Sequence, residues 1–190
     1  MSNSINNNNN DEIKIFDDLL PEDMRQICYR MLSRSKWSFD GGGSHSRFWH
    51  MNDLEDDWFF KESVFDYVKR CLHFICNNPL QDGDIEVKRI YANGQTATQS
   101  GVVHQDDNTT PNAWTFLYYS TPNWKQEYAG NTQFFDGKPG ALIKTVQYVS
   151  NRAVLFPSSM YHMAEAPCRQ YHGLRTTIAY KMNIQQQQPK

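Results

Sequence analysis

The stretch GVVHQDDN, residues 101 to 108, holds one histidine and two aspartates in four consecutive positions. Imidazole and carboxylate are ligands for a divalent transition metal. On extended backbone, residues two apart share a face and residues three apart do not. A metal held by both side-chain types therefore selects His104 and Asp106. Asp107 is left to face away or to cap the following turn, NTTPN. The three-residue pattern alone is a weak signal, because it recurs by chance. A metal site needs a third ligand from elsewhere in the chain.

The other histidines are His45, His50, His73, His162 and His172. His73 falls in a helical stretch, and His45 and His50 lie in or beside a Gly-rich loop. His162 follows RAVLFPSSMY, which reads as a buried strand and a tight turn. In a jelly roll, a late strand can lie across from an earlier one. His162 would then join His104 and Asp106 as a two-histidine, one-carboxylate triad. Such triads hold non-haem Fe(II) on one face and leave positions open for a co-substrate and oxygen.

Arg175 lies thirteen residues after His162 and opens RTTIAYKM. Period-two alternation puts Arg175, Thr177 and Ala179 on one face. A guanidinium aimed into a barrel is costly unless paired, and a carboxylate pairs it bidentately. Charge counting agrees. A divalent metal and one carboxylate leave a single positive charge, a dicarboxylate makes the sum singly negative, and one arginine restores neutrality.

These residues need a framework. The chain has 190 residues and a net charge of -2, and aromatics make up 14%. One folded domain with a sizeable core fits that length, and near-neutrality argues against a nucleic-acid partner. The four cysteines form no CxxC pair, which disfavours a structural zinc and fits free thiols in a reducing compartment. With no membrane span and no signal-peptide pattern, the expectation is a soluble cytoplasmic protein of a cell or of a virus in its host. Residues 1–10 are Asn-rich and 184–190 Gln-rich, and both read as disordered tails.

The single domain is expected over 11–183, with helical support over about 11–80 and a β core over about 84–182. EIKIFDDLL suggests a strand. Pro21 suits a first helical position, and Met24, Ile27, Cys28, Met31 and Leu32 fall on one helical face. Three glycines at 41–43 mark a loop. A second helix is predicted from about Asp53 to Cys76, with Leu54, Trp58, Phe65, Val68, Leu72 and Ile75 inward and Asn77-Asn78-Pro79 as its stop. From residue 84, short β-branched and aromatic segments alternate with turn signals: DIEVKRIYA, AWTFLYYS, TQFF, IKTVQYV, RAVLFP and RTTIAYKM. Six to eight strands without intervening helices predict an antiparallel two-sheet closure. The fold class is thus α+β, with a double-stranded β-helix (jelly-roll) core and supporting N-terminal helices.

The order VVHQDD, LYYS, AGNTQFF, RAVLFPSSMYHMAEAP and GLRTTIAYKM resembles the 2-oxoglutarate/Fe(II)-dependent oxygenases, in their prolyl 4-hydroxylase-like branch. The resemblance covers about residues 84 to 182. It implies His104, Asp106 and His162 as Fe(II) ligands and Arg175 as the residue that binds the distal carboxylate of 2-oxoglutarate. It implies that the hydroxyl of Tyr119, in LYYS, supports that carboxylate, and that Tyr91, in RIYANGQ, lines the site near iron. Gly130 matches the first glycine of a Gly-Gly element whose second position is here Asn131. The implied reaction couples oxidative decarboxylation of 2-oxoglutarate to hydroxylation by O2, with ascorbate as a reductant.

The branch implies a prolyl residue in a peptide or protein as substrate. Trp37, Phe48, Trp49, Trp124 and Tyr128 lie beside flexible segments and suit Pro rings, or else they cover core. Base demethylation on nucleic acid is disfavoured, since relatives of that kind carry a second arginine where this chain has Lys181. A free amino acid or small metabolite stays open as substrate. The non-enzymatic alternative is a jelly-roll binding module.

Overall fold

The computed structural model describes residues 12–34, 36–40, 48–76, 80–81 and 83–185. The glycine loop with His45, the expected helix stop at 77–79, residues 1–10 and residues 186–190 lie outside them.

Strand β1 (Lys14–Phe16) leads into α1 (Glu22–Arg34). Pro21 is the residue before the helix, and its carbonyl accepts the first helical bond from the Arg25 amide at 3.0 Å. Glu22 and Asp23 in the first turn and Arg34 in the last complement the helix dipole. Cys28 and Leu32 of the expected face are buried. A hairpin follows, β2 (Ser38–Asp40) and β3 (Phe48–Met51), where the sequence suggested only a loop.

The second helical stretch departs from its expected form. It runs as a short 3-10 turn (Leu54–Asp56), a π-helical segment (Phe59–Val64) and then α2 (Phe65–Leu72). A π turn adds a residue per turn and rotates the apolar face. Phe60 therefore goes inward, at 1% exposure, and Trp58 stays out, at 71%.

The core strands are β4 (Ile85–Gln95), β5 (Ala113–Tyr119), β6 (Thr132–Phe135), β7 (Leu142–Val146), β8 (Ala153–Pro157), β9 (Tyr161–Ala164) and β10 (Arg175–Ile184). They and the N-terminal strands form a seven-stranded sheet, ordered β1-β8-β5-β10-β4-β3-β2, and a three-stranded sheet, ordered β7-β6-β9. Every pairing between them is antiparallel. The jelly-roll expectation holds. The last strand overruns the expected boundary at 183: Ile184 pairs with Ile85 and is buried, so it belongs to the core and not to the tail.

Alternation along the large sheet makes two cores. Ile90, Ala92, Phe116, Tyr118, Ile178 and Tyr180 face the helices. Tyr119, Val154 and Phe156 face the small sheet and meet Phe134 and Val146. The second face also carries the polar residues discussed next. No helix among the described residues is long and apolar enough to cross a membrane.

Candidate metal centre

His104 and His162 are brought together by backbone pairing. Each donates its amide to the other's carbonyl, at 3.0 and 2.9 Å, in an isolated antiparallel bridge that extends the small sheet. Residues directly opposite in such a pair carry their side chains on the same face. The rings accordingly lie 4.4 Å apart between centroids.

Both imidazoles are oriented in the same way. Nδ1 of His104 lies 2.9 Å from the carbonyl of Val102, and Nδ1 of His162 lies 2.9 Å from the carbonyl of Met160. A carbonyl only accepts, so Nδ1 carries the proton and Nε2 presents its lone pair to the site. Asp106 completes the group. Its Oδ1 is 3.4 Å from His104 Nε2 and its Oδ2 is 3.5 Å from His162 Nε2. The three ligand atoms all lie within 4.8 Å of one another. Two imidazole nitrogens and one carboxylate at this spacing fit a small divalent cation with coordination positions to spare.

The backbone at this turn is pinned. Ser158, which follows β8, accepts from the amides of Asp106 and Asp107, at 2.9 and 3.1 Å. Asp107 turns away from the triad. Its Oδ1 accepts from the Thr109 amide and hydroxyl and from the Thr110 amide, as the turn-capping expectation required. Hydrogen bonds from Thr110 and Thr109 hold its carboxyl well below the usual range.

The Asp106 side chain is only 7% exposed. Burial alone would raise its carboxyl, but Lys181, then His162 and His104, hold it well below the usual value. Lys181 Nζ ion-pairs with Oδ2 and also donates to Thr115 Oγ1 at 3.1 Å. Thr115 Oγ1 donates to Asp106 Oδ2 at 2.7 Å. Burial lowers His162 to about 4, so its imidazole is neutral at ordinary pH. His104 is raised, chiefly by its hydrogen bond with Asp106. Tyr91 stands beside this group. The Lys181 ammonium lies 5.8 Å from its ring centroid.

Arg175 is buried on the inner face of β10, at 1% exposure. Its Nε donates to the Gly130 carbonyl at 2.7 Å and one terminal nitrogen to Gln95 Oε1 at 2.6 Å. The other terminal nitrogen, NH2, has no partner, and it is the one buried side-chain polar atom so placed among the described residues. The guanidinium lies 4.7 Å from the Tyr148 ring and 5.9 Å from the Tyr119 ring. The Tyr119 hydroxyl is bonded to Thr132 Oγ1 at 2.7 Å. Gly130 has φ +75°, and a Cβ there would stand 3.0 Å from Arg175 and 2.9 Å from Trp124. Its neighbour Asn131 binds Glu165 and the Tyr148 amide. Asn131 thus ties this turn to Glu165, directly after the strand that holds His162.

The expected aromatics divide. Trp37 packs on the helical core and donates to the Leu32 carbonyl. Phe48 is buried, and Trp49 packs at a tilt against Phe39, with ring centroids 4.9 Å apart. Trp124 and Tyr128 cluster with Tyr148 and Tyr171 beside Arg175. His50 is hydrogen-bonded to Asn93, and His73 and His172 are exposed.

Sequence reasoning missed Lys181, Thr115 and Gln95 as parts of this site. Parity held the signal for two of them. Lys181 continues the series Arg175, Thr177, Ala179, and Thr115 shares the face of Tyr119.

No family model matches the chain, and no curated protein sequence matches it. Solved structures do. A prolyl hydroxylase in complex with a hypoxia inducible factor oxygen degradation domain peptide fragment, from Trichoplax adhaerens, is 16% identical, with 93% of this chain and 85% of that one covered and a TM-score of 0.64. HygX from Streptomyces hygroscopicus, with nickel, 2-oxoglutarate and hygromycin B bound, is 12% identical, covers 91% and 83%, and has a TM-score of 0.68. A Pseudomonas putida prolyl-4-hydroxylase is 11% identical, covers 90% and 92%, and has a TM-score of 0.61. The jelly roll described above is the fold these proteins share with this chain.

Proposed function

We propose that the protein is a 2-oxoglutarate/Fe(II)-dependent dioxygenase that hydroxylates a prolyl residue in a peptide or protein. The observation that carries the co-substrate is Arg175. A buried cation with one unpaired nitrogen, on the barrel interior that also holds the triad, fits an anionic ligand. Two solved structures of the same fold are prolyl hydroxylases, and one of them holds a peptide.

In this reading His104 Nε2, His162 Nε2 and Asp106 hold Fe(II), and Arg175 holds the distal carboxylate of 2-oxoglutarate. When bound, these groups supply the activation of O2, with 2-oxoglutarate leaving as succinate and carbon dioxide and one oxygen atom going to the substrate. The chain's own work is placement. The Val102 and Met160 carbonyls fix the two ring orientations, and neutral His162 offers its lone pair without first losing a proton. Gly130 and Gln95 lock the guanidinium so that NH2 faces the co-substrate. Reversal of the Tyr119–Thr132 hydroxyl bond frees the Tyr119 proton for the same carboxylate. Tyr91 walls the metal side.

The test has two stages. Anaerobic Fe(II) followed by 2-oxoglutarate should give the visible charge-transfer band of the chelate. Succinate release should then rise with certain Pro-containing peptides, each gaining one oxygen by mass spectrometry. Absence of the band would sink the oxygenase reading in favour of a binding module. A band with no hydroxylated peptide would sink the prolyl part. The second reading, a small-molecule substrate, draws on HygX, which has the same fold and holds hygromycin B. A metabolite panel run in parallel separates the two.

A further inference from the structure

Lys181 enters none of the roles above, yet its ammonium touches the proposed metal ligand. Its Nζ ion-pairs with Asp106 Oδ2 and donates to Thr115 Oγ1 at 3.1 Å. Thr115 Oγ1 spends its single proton on Asp106 Oδ2, so the 2.9 Å contact with Ser158 Oγ must be a bond that Ser158 donates. Oδ2 thus takes one bond from a cation and one from a hydroxyl. Oδ1 faces His104 Nε2, at 3.4 Å. One oxygen of the carboxylate is committed to the protein and the other is left for a cation.

We infer that Lys181 is a positioning residue that sets the charge of this centre: it reserves Oδ2, weakens the hold on the metal ion and strengthens the hold on the anionic co-substrate. The inference rests on the oxygenase reading. Its electrostatics follow from a count. The Asp106–Lys181 pair is neutral, so a divalent cation bound beside it keeps its full charge toward a dicarboxylate. Without Lys181, Asp106 cancels one of those charges. A positive group next to the ligand therefore repels the metal and attracts the dianion.

Loss of Lys181 would not release Asp106. The Thr115 hydroxyl still binds Oδ2, and the Ser158 carbonyl still holds the Asp106 amide. Charge removal therefore outweighs misorientation. At these short separations one unit charge shifts a binding constant by on the order of tenfold even after protein and solvent screening.

The experiment measures two affinities in opposition. Mn(II) binding is followed by the EPR signal of the free ion. 2-oxoglutarate is then titrated into the Fe(II)-saturated protein without oxygen, with the visible band as readout. In Lys181→Met, Mn(II) should bind about tenfold more tightly and 2-oxoglutarate about tenfold more weakly. Lys181→Gln, which keeps a hydrogen-bond donor but no charge, should shift both in the same opposed sense. Lys181→Arg should restore wild-type values. Thr115→Val alters orientation without charge and should weaken Mn(II) by about tenfold. A common weakening of both ligands in the Met and Gln variants would mean a structural role and overturn the inference, as would no change. A wild-type protein that binds no Mn(II) or gives no band overturns the oxygenase reading itself. Opposed affinities that fail to appear in a wild-type-competent site overturn Lys181 alone.

Discussion

The two ends of the barrel interior are finished to different degrees. At the triad end, charge and hydrogen bonds are balanced within the protein. Asp106 has Lys181 and Thr115, and each histidine has a carbonyl on Nδ1. At the other end, Arg175 has two bonded nitrogens and one buried nitrogen without a partner. An unpaired buried donor costs about 1–3 kcal/mol, more when charged. Among the described residues that cost is carried at this end only, the end where the proposed co-substrate would supply the missing partner.

The largest effect tests the triad end. His162→Ala removes one of the three proposed ligands, so Mn(II) affinity and succinate production should both fall below detection. Retention of full turnover would break the site assignment. Arg175→Met tests the other end and should separate the two. Metal binding should persist, while 2-oxoglutarate affinity drops about a hundredfold, the equivalent of losing a charged hydrogen bond of roughly 3 kcal/mol. In wild type, saturating 2-oxoglutarate on the metal-loaded protein should raise the melting temperature by about 5 °C, and in Arg175→Met by almost nothing. An equal rise in both proteins would mean that Arg175 is not where the ligand completes the fold.

Protonation sharpens the contrast within the triad itself. His162 is held down to about 4 by burial, so between about 4 and 6.5 the unfolded chain binds a proton there that the folded chain does not. Its contribution to stability is full above 6.5 and is lost as pH falls toward 4. His104 has the opposite sign. Its hydrogen bond with Asp106 raises it, so its contribution is full below 6.5 and fades as pH rises through its folded value. His104 is half-exposed, which screens its part, so metal-free melting temperature should fall from pH 6.5 to 4.5. Metal binding needs both rings neutral. Near pH 6.5 the proton released on binding should therefore come from His104, and buffer-dependent calorimetry should find it missing in His104→Gln. Release unchanged in that variant would assign it to a different group.

Much of this comparison was legible in the sequence, because strand parity is a local rule. It separated Asp106 from Asp107 and turned Arg175 inward. The family resemblance supplied the roles proposed for Tyr119 and Tyr91; the Arg175 guanidinium lies 5.9 Å from the Tyr119 ring and the Lys181 ammonium 5.8 Å from the Tyr91 ring. Other features depend on contacts that no local pattern encodes. Gln95 reaches Arg175 because β4 pairs with β10 in one register. Trp58 was misplaced because a π segment shifts the face of the second helix by a residue, which apolar spacing cannot show. The β2–β3 hairpin was read as loop because its strands are short and its pairing with β4 is long-range. Lys181 was visible by parity, but its partner Asp106 lies 75 residues earlier and only the closed barrel joins them.

The smallest effect tests the finest distinction, between neighbouring aspartates. Asp107→Asn keeps an oxygen that accepts from the Thr109 and Thr110 amides, so the turn should persist. The carboxylate it loses is not part of the triad, and the charge change is solvent-exposed and screened. Mn(II) and 2-oxoglutarate affinities should stay within about twofold of wild type, as surface substitutions do. Asp106→Asn alters the same chemistry one residue earlier, removes the anion between Lys181 and the proposed metal, and should abolish tight metal binding. If the two variants behaved alike, backbone at HQDD would not be selecting the ligand, and the parity argument that separates the two carboxylates would fail with it.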